Sequence, residues 1–179
     1  MHRKLDWPAG YQTQLVTVVQ GKFQISADPN VVFSTILGSC VSACLFDEVA
    51  KIGGMNHYLL ADCPSNSTSS LRYGVHAMEL LINALQKAGA SRSRLKAKVF
   101  GGGTMSGLFH DIGQKNGEFV LNYLSEEGVP VSAQDLGGTS ARRINFHPIT
   151  GQVRCATTKD TPEKVRIILR SAQNPKILF

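Results

Sequence analysis

Apolar residues in the first sixty positions fall in short runs rich in Val, Ile and Phe, at residues 15–19, 23–26, 31–36, 41–46 and 52–60. Each has the length and β-branched content of a strand. Helical spacing replaces this pattern from about Leu71, where Val75, Met78, Ile82 and Leu85 share one face and Gly89 marks the end. A second helix is expected over about 114–127, with Val120, Tyr123 and Leu124 inward and Gly128 as its stop. Residues 96–100 read as a strand between the helices, and strands return at 131–136, 142–146 and 152–156. A further helix is expected from Thr161 as N-cap, with Pro162 at its first position and Val165, Ile168, Leu169 and Ala172 at helical spacing. Elements segregated in this way predict an α+β fold of largely antiparallel sheets with two main helices.

The chain has 179 residues, enough for one packed core, and neither a repeat nor a Pro/Gly linker divides it. Residues 64–70 form a polar stretch expected to be a loop. No apolar run reaches the 18 or more residues of a membrane-spanning helix, and the basic start is followed by no apolar signal core. A cytoplasmic protein without membrane insertion is therefore expected. The formal charge of +6 favours acidic partners. Cys40, Cys44, Cys63 and Cys155 are too sparse for a disulfide framework and are expected as free thiols.

The segment around Cys40 carries the richest chemistry. If residues 47–50 form a hairpin loop, Phe46 faces Lys51 and Cys40 faces His57, with Cβ atoms about 5 Å apart. An imidazole beside a thiol draws out its proton and stabilises the attacking thiolate. Gly38 and Ser39, just before Cys40, could supply backbone N–H groups to an oxyanion. The alternative is a buried, inert Cys40 and a hydrogen-bonded core His57. Zinc binding by Cys40, Cys44, His57 and Cys63 fits poorly, because Cys40 and Cys44 on one extended strand would be about 13 Å apart. The run Gly101-Gly102-Gly103 lacks the lysine of a phosphate-binding loop and predicts a close approach of backbones. Arg92, Arg94, Lys96 and Lys98 would share one side if that stretch were extended, as a solvated face or a docking patch for an acidic partner. No nucleic-acid-binding motif accompanies them. His76, His110 and His147 have no paired nucleophile and read as structural or surface residues.

Leu37-Gly38-Ser39-Cys40, Gly53-Gly54-Met55-Asn56-His57, Phe100-Gly101-Gly102-Gly103, and Gly137-Gly138-Thr139-Ser140-Ala141-Arg142-Arg143 with Thr150-Gly151 together resemble the CheD family of chemoreceptor glutamine deamidases. The resemblance covers residues 31–156 and implies one deamidase domain over 1–160, with 161–179 as a C-terminal helix and tail. It implies a layered α/β sandwich similar to bacterial toxin deamidases. The implied activity is hydrolysis of glutamine side chains to glutamate on methyl-accepting chemotaxis receptors through a cysteine thioester, releasing ammonia, with methylesterase activity on receptor methyl esters besides. Cys40 falls on the family's nucleophile and His57 on its histidine. The third catalytic member, a Thr six residues before the cysteine, falls on Ser34, with Thr35 as the alternative hydroxyl orienting His57. Neither metal nor organic cofactor is implied, and the phosphatase CheC is a second implied partner. A non-catalytic adaptor that docks on receptors or on CheC, with Cys40 inert, is the competing expectation.

Overall fold

The computed structural model describes residues 13–60, 67–104 and 112–157. The expected helix from Thr161, with Cys63 and His110, lies outside them. In chain order the described elements are β1 (Gln14–Thr17), β2 (Lys22–Ser26), β3 (Val31–Leu37), β4 (Val41–Asp47), β5 (Ile52–His57), α1 (Ser67–Lys87), β6 (Lys96–Gly101), α2 (Ile112–Glu126), β7 (Val131–Leu136), β8 (Arg142–Phe146) and β9 (Val153–Thr157). One sheet has the order β1-β3-β8-β9 and the other β2-β5-β4-β6-β7. Pairing is antiparallel except at β1–β3 and β6–β7, which are parallel.

The layering follows from which residues alternate. Phe33 and Leu37 of β3 and Ile144 and Phe146 of β8 pack against Cys44, Phe46, Met55 and Phe100 of the second sheet. The intervening residues of that sheet, including Val41, Ala43, Leu45, Ile52 and Val99, meet Met78, Leu81, Ile82 and Leu85 of α1 and Val120 and Leu124 of α2. Sheet, sheet and helices therefore stack as three layers with two apolar seams. All seven residues of β4 are buried, as expected of a strand covered on both faces. This is the layered α/β sandwich with two main helices that the apolar pattern and the family resemblance imply.

Three local expectations are corrected. The hairpin between β4 and β5 pairs Asp47 with Ile52, so the loop is 48–51 rather than 47–50. Asp47 is the last strand residue because its Oδ1 accepts the N–H groups of Val49 and Ala50, each at 3.0 Å, and so closes the turn from its first position. Residues 92–94, expected as extended chain, form a short 3₁₀ helix. That turn breaks the single-sided cation row. Arg92 pairs with Glu127, Arg94 with Asp47 and Lys96 with Glu48, while Lys98 lies 5.8 Å from the Phe46 ring centroid. Helix α1 also starts at Ser67, inside the stretch expected as loop.

Candidate active site

Cys40 sits on the crossing from β3 to β4, and every carbonyl of that crossing is tied to the protein. Gly38 O accepts from Gly103 N–H at 2.8 Å and Cys40 O from Gly102 N–H at 2.8 Å. Ser39 O accepts from the Asn116 side-chain amide at 3.0 Å. The glycine run is thus a clamp on the cysteine segment. Gly101 has φ 112°, and a Cβ there would overlap the Cys40 carbonyl oxygen, so no other residue fits without moving the Cys40 backbone. Asn116 is fully buried on α2, and its Oδ1 also accepts Leu60 N–H at 2.7 Å. One side chain therefore ties α2 to the crossing and to the chain leaving β5.

His57 ends β5 where the β4–β5 ladder opens. Regular pairing runs from Asp47↔Ile52 to Cys44↔Met55, then skips to an isolated bridge between Val41 and Tyr58. Side chains stitch the gap: Asn56 Oδ1 accepts Ala43 N–H at 2.9 Å, and the Ser42 hydroxyl donates to Asn56 O at 2.5 Å. The imidazole reaches the seam between the sheets, where Nδ1 lies 2.9 Å from Thr35 Oγ1 and 3.3 Å from Val18 O. A carbonyl only accepts, so the contact with Val18 assigns the proton to Nδ1. Nε2, the remaining lone pair, is buried and has no hydrogen-bond partner among the described residues.

The hydroxyl on His57 is therefore that of Thr35, not Ser34. Successive β3 residues point to opposite faces, and Thr35 shares its face with Phe33 and Leu37 in the inter-sheet seam. The expected pairing of Cys40 directly opposite His57 is also corrected. In the observed register His57 stands opposite Ser42, which makes Cys40 its diagonal neighbour. The displacement is two residues, and a slip of two leaves side chains on the same face. Cys40 remains against the inter-sheet cluster. Its Sγ donates to Gln20 Oε1 at 3.5 Å rather than to the imidazole.

Burial sets the protonation states. It pushes the Cys40 thiol up to about 11, with the segment's own backbone N–H acting in the opposite direction. Burial likewise lowers His57 below its ordinary value, and the Val18 carbonyl partly offsets this. The resting pair is neutral thiol and neutral imidazole, not the thiolate expected beside a histidine.

The other candidates separate cleanly. Cys44 is fully buried, and its thiol is held above the ordinary range mainly by that burial. Cys155 is exposed and donates to Asp135 Oδ2 at 3.3 Å. His76 is exposed on α1, whereas His147 is buried between Pro29 O and Thr150 Oγ1, both at 2.9 Å. Gln20 and Asn116 belong to none of the sequence motifs, and Asn56 enters only as part of the Gly53-to-His57 run. Asn116 left a trace, as a polar residue on the helix face that carries Gly113, Gly117 and Val120 inward; Gln20 left none.

The model of the family described as CheD chemotactic sensory transduction matches residues 59–157. A protein of Ruegeria sp. (strain TM1040) named "Probable chemoreceptor glutamine deamidase CheD 1" is 56% identical over 139 residues, 78% of this chain and 74% of that protein. One of Zymomonas mobilis subsp. mobilis, named "Probable chemoreceptor glutamine deamidase CheD", is 54% identical over 144 residues, 78% of each chain. A namesake of Rhizobium leguminosarum bv. trifolii is 46% identical over 166 residues, 90% of each, which leaves too few residues outside for Cys40 or His57 to fall beyond the match. A looser likeness, TM-score 0.42 at 14% identity, to the Bacillus licheniformis hypothetical protein YfiH covers 66% of this chain and 50% of that one. On the family model and on these identities over more than two thirds of its length, the chain belongs to the CheD family.

Proposed function

We propose that this chain is a cytoplasmic chemoreceptor glutamine deamidase, with Cys40 as nucleophile, His57 as general base and acid, and Thr35 as the residue that orients His57. One observation carries the reading: His57 is fixed through Nδ1 by Thr35 and Val18, its Nε2 has no partner among the described residues, and the strand register puts His57 on the face that carries Cys40. A base held on one nitrogen with the other left open is what proton removal from a neighbouring thiol requires. The names of the relatives supply the substrate, a glutamine on a chemoreceptor.

Because both groups rest neutral, the thiol loses its proton to Nε2 as sulfur bonds to the carboxamide carbon, rather than in advance. The carbonyl π electrons move to oxygen, where N–H groups of the clamped 38–40 segment receive the charge. Collapse of the adduct breaks the C–N bond, and the Nε2 proton leaves with ammonia. Neutral His57 then takes a proton from water, which attacks the thioester; the C–S bond breaks, the proton returns to sulfur and glutamate remains. Receptor methyl esters would react by the same steps with methanol as leaving group. These steps call on no metal or organic cofactor. A phosphatase of the CheC type is the second partner we propose.

The test is mass spectrometry of a receptor fragment incubated with the protein. Each deamidated glutamine gains about one mass unit as NH₂ is exchanged for OH. Gain with wild type and none with Cys40→Ala is the expected result. Equal gain with both would end the nucleophile assignment, and gain with neither would favour the adaptor alternative.

A further inference from the structure

The turn between β1 and β2 is fastened to β3 and to the histidine strand. Val18 N–H donates to Ser34 O at 2.9 Å, Gly21 N–H to His57 O at 2.7 Å, and Lys22 N–H closes the turn on Val19 O at 3.1 Å. Gly21 takes φ 78°, which suits the third position of such a turn. Lys22 then pairs directly with His57 in the ladder. These contacts place Gln20 at the apex of the turn, and its Oε1 accepts the hydrogen bond from Cys40 Sγ at 3.5 Å. The side chain that meets the nucleophile thus carries a primary carboxamide, the same functional group that a deamidase must receive there.

We propose that the Gln20 carboxamide occupies the subsite of the incoming glutamine carboxamide, so that the resting chain is closed by an internal competitor that substrate must displace. This rests on the assignment of Cys40 as nucleophile. Gln20 is not consumed, because the contact engages its oxygen and keeps the proton on sulfur; no S–C bond forms. The turn is anchored through backbone groups alone, so the Gln20 side chain can swing out without disturbing His57. Gln20 itself is exposed, which gives it solvent to swing into.

The experiment compares wild type, Gln20→Ala and Gln20→Glu in two readouts. Alkylation by iodoacetamide at pH 8.5, followed peptide by peptide, reports access to Cys40, with Cys155 on β9 as internal reference. Losing one hydrogen bond that holds the thiol neutral should speed Cys40 alkylation about fivefold in Gln20→Ala. The carboxylate of Gln20→Glu should slow it, and Cys155 should not change in either. In receptor deamidation, Gln20→Ala should lower KM by about the same factor without lowering kcat. An unchanged Cys40 alkylation rate in Gln20→Ala would overturn the proposal. So would a fall in kcat at constant KM, which would make Gln20 a transition-state partner. If wild type left receptor glutamines intact, the proposed activity would fail while alkylation would still show whether Gln20 covers the thiol.

Discussion

Thr35 Oγ1 lies 2.9 Å from His57 Nδ1, joining an interior strand of one sheet to a strand of the other across the apolar seam. Thr35 and His57 are both buried, so this contact is shielded from competing water. Removing the hydroxyl should leave the ring held at Nδ1 by the longer contact to Val18 O alone. Thr35→Val is therefore expected to lower kcat by about 10- to 100-fold with little change in KM. Thr35→Ser should retain most activity, and Ser34→Ala should stay within about twofold of wild type in kcat. Steady-state kinetics on the three variants decide the matter: a larger kcat loss in Ser34→Ala than in Thr35→Val would reverse the assignment.

The neutral pair fixes the form of the pH profile. In the proposed role His57 would act as base only when unprotonated, and burial lowers its pKa from the ordinary 6.5. Activity should therefore be lost as pH falls through a value below 6.5, with a plateau across neutrality. Cys40 alkylation should keep rising well above neutral pH, since the thiol is held near 11. An acid limb of kcat/KM at or above pH 7, or a Cys40 thiolate complete by pH 8, would contradict both assignments.

Asp47 is fully buried and accepts from Val49, Ala50 and Ser91 N–H groups and from the Arg94 guanidinium. Burial alone would raise its carboxyl, but the guanidinium and then the three N–H groups outweigh it and hold the group well below the usual carboxylate range. Asp47→Asn should cost about 3 kcal/mol in urea unfolding. A depressed carboxyl stabilises above its unfolded value, so this advantage should shrink as pH falls below about 4. Reversing Arg94 should act in the same way, as a loss of stability rather than a rise in KM, because its charge is spent on Asp47. A variant of Arg94→Glu with native stability and a raised KM would restore it as a docking residue.

Asn116 uses its side chain as both donor and acceptor, to Ser39 O and from Leu60 N–H. Asn116→Asp turns the donor into an acceptor facing another oxygen. Destabilisation by about 2 kcal/mol, with lower kcat in the molecules that remain folded, is expected. Retained stability and kcat would show that the 38–40 crossing holds without this tie.

The described strands were legible because each is a short apolar run bounded by turn residues, and the β4 core run of Val41 to Phe46 has no competing helical reading. The hairpin register was not, since it depends on a side-chain event: Asp47 caps the turn and so stays in the ladder. Cys40 and His57 stay on one strand face despite the error because the slip was even. The choice between Ser34 and Thr35 needed to know which face of β3 meets the second sheet, and Val31 to Leu37 is apolar on both. Arg92 to Lys98 alternates in sequence, yet only its second half is strand; Arg94 is drawn into a 3₁₀ turn by an aspartate 47 positions away. Contacts of that separation leave no local pattern.

A cysteine kept as thiol by its surroundings also has a distinct relation to oxidants. Peroxide attacks thiolate far faster than thiol, and the first product, sulfenic acid, is the gateway to irreversible sulfinic and sulfonic forms. With Cys40 protonated at rest and its sulfur turned to Gln20, little thiolate is exposed between encounters with substrate. The burial that holds the Cys40 thiol protonated should thus also slow its reaction with peroxide, and among the described residues Cys44 and Cys155 are free thiols not bonded to it.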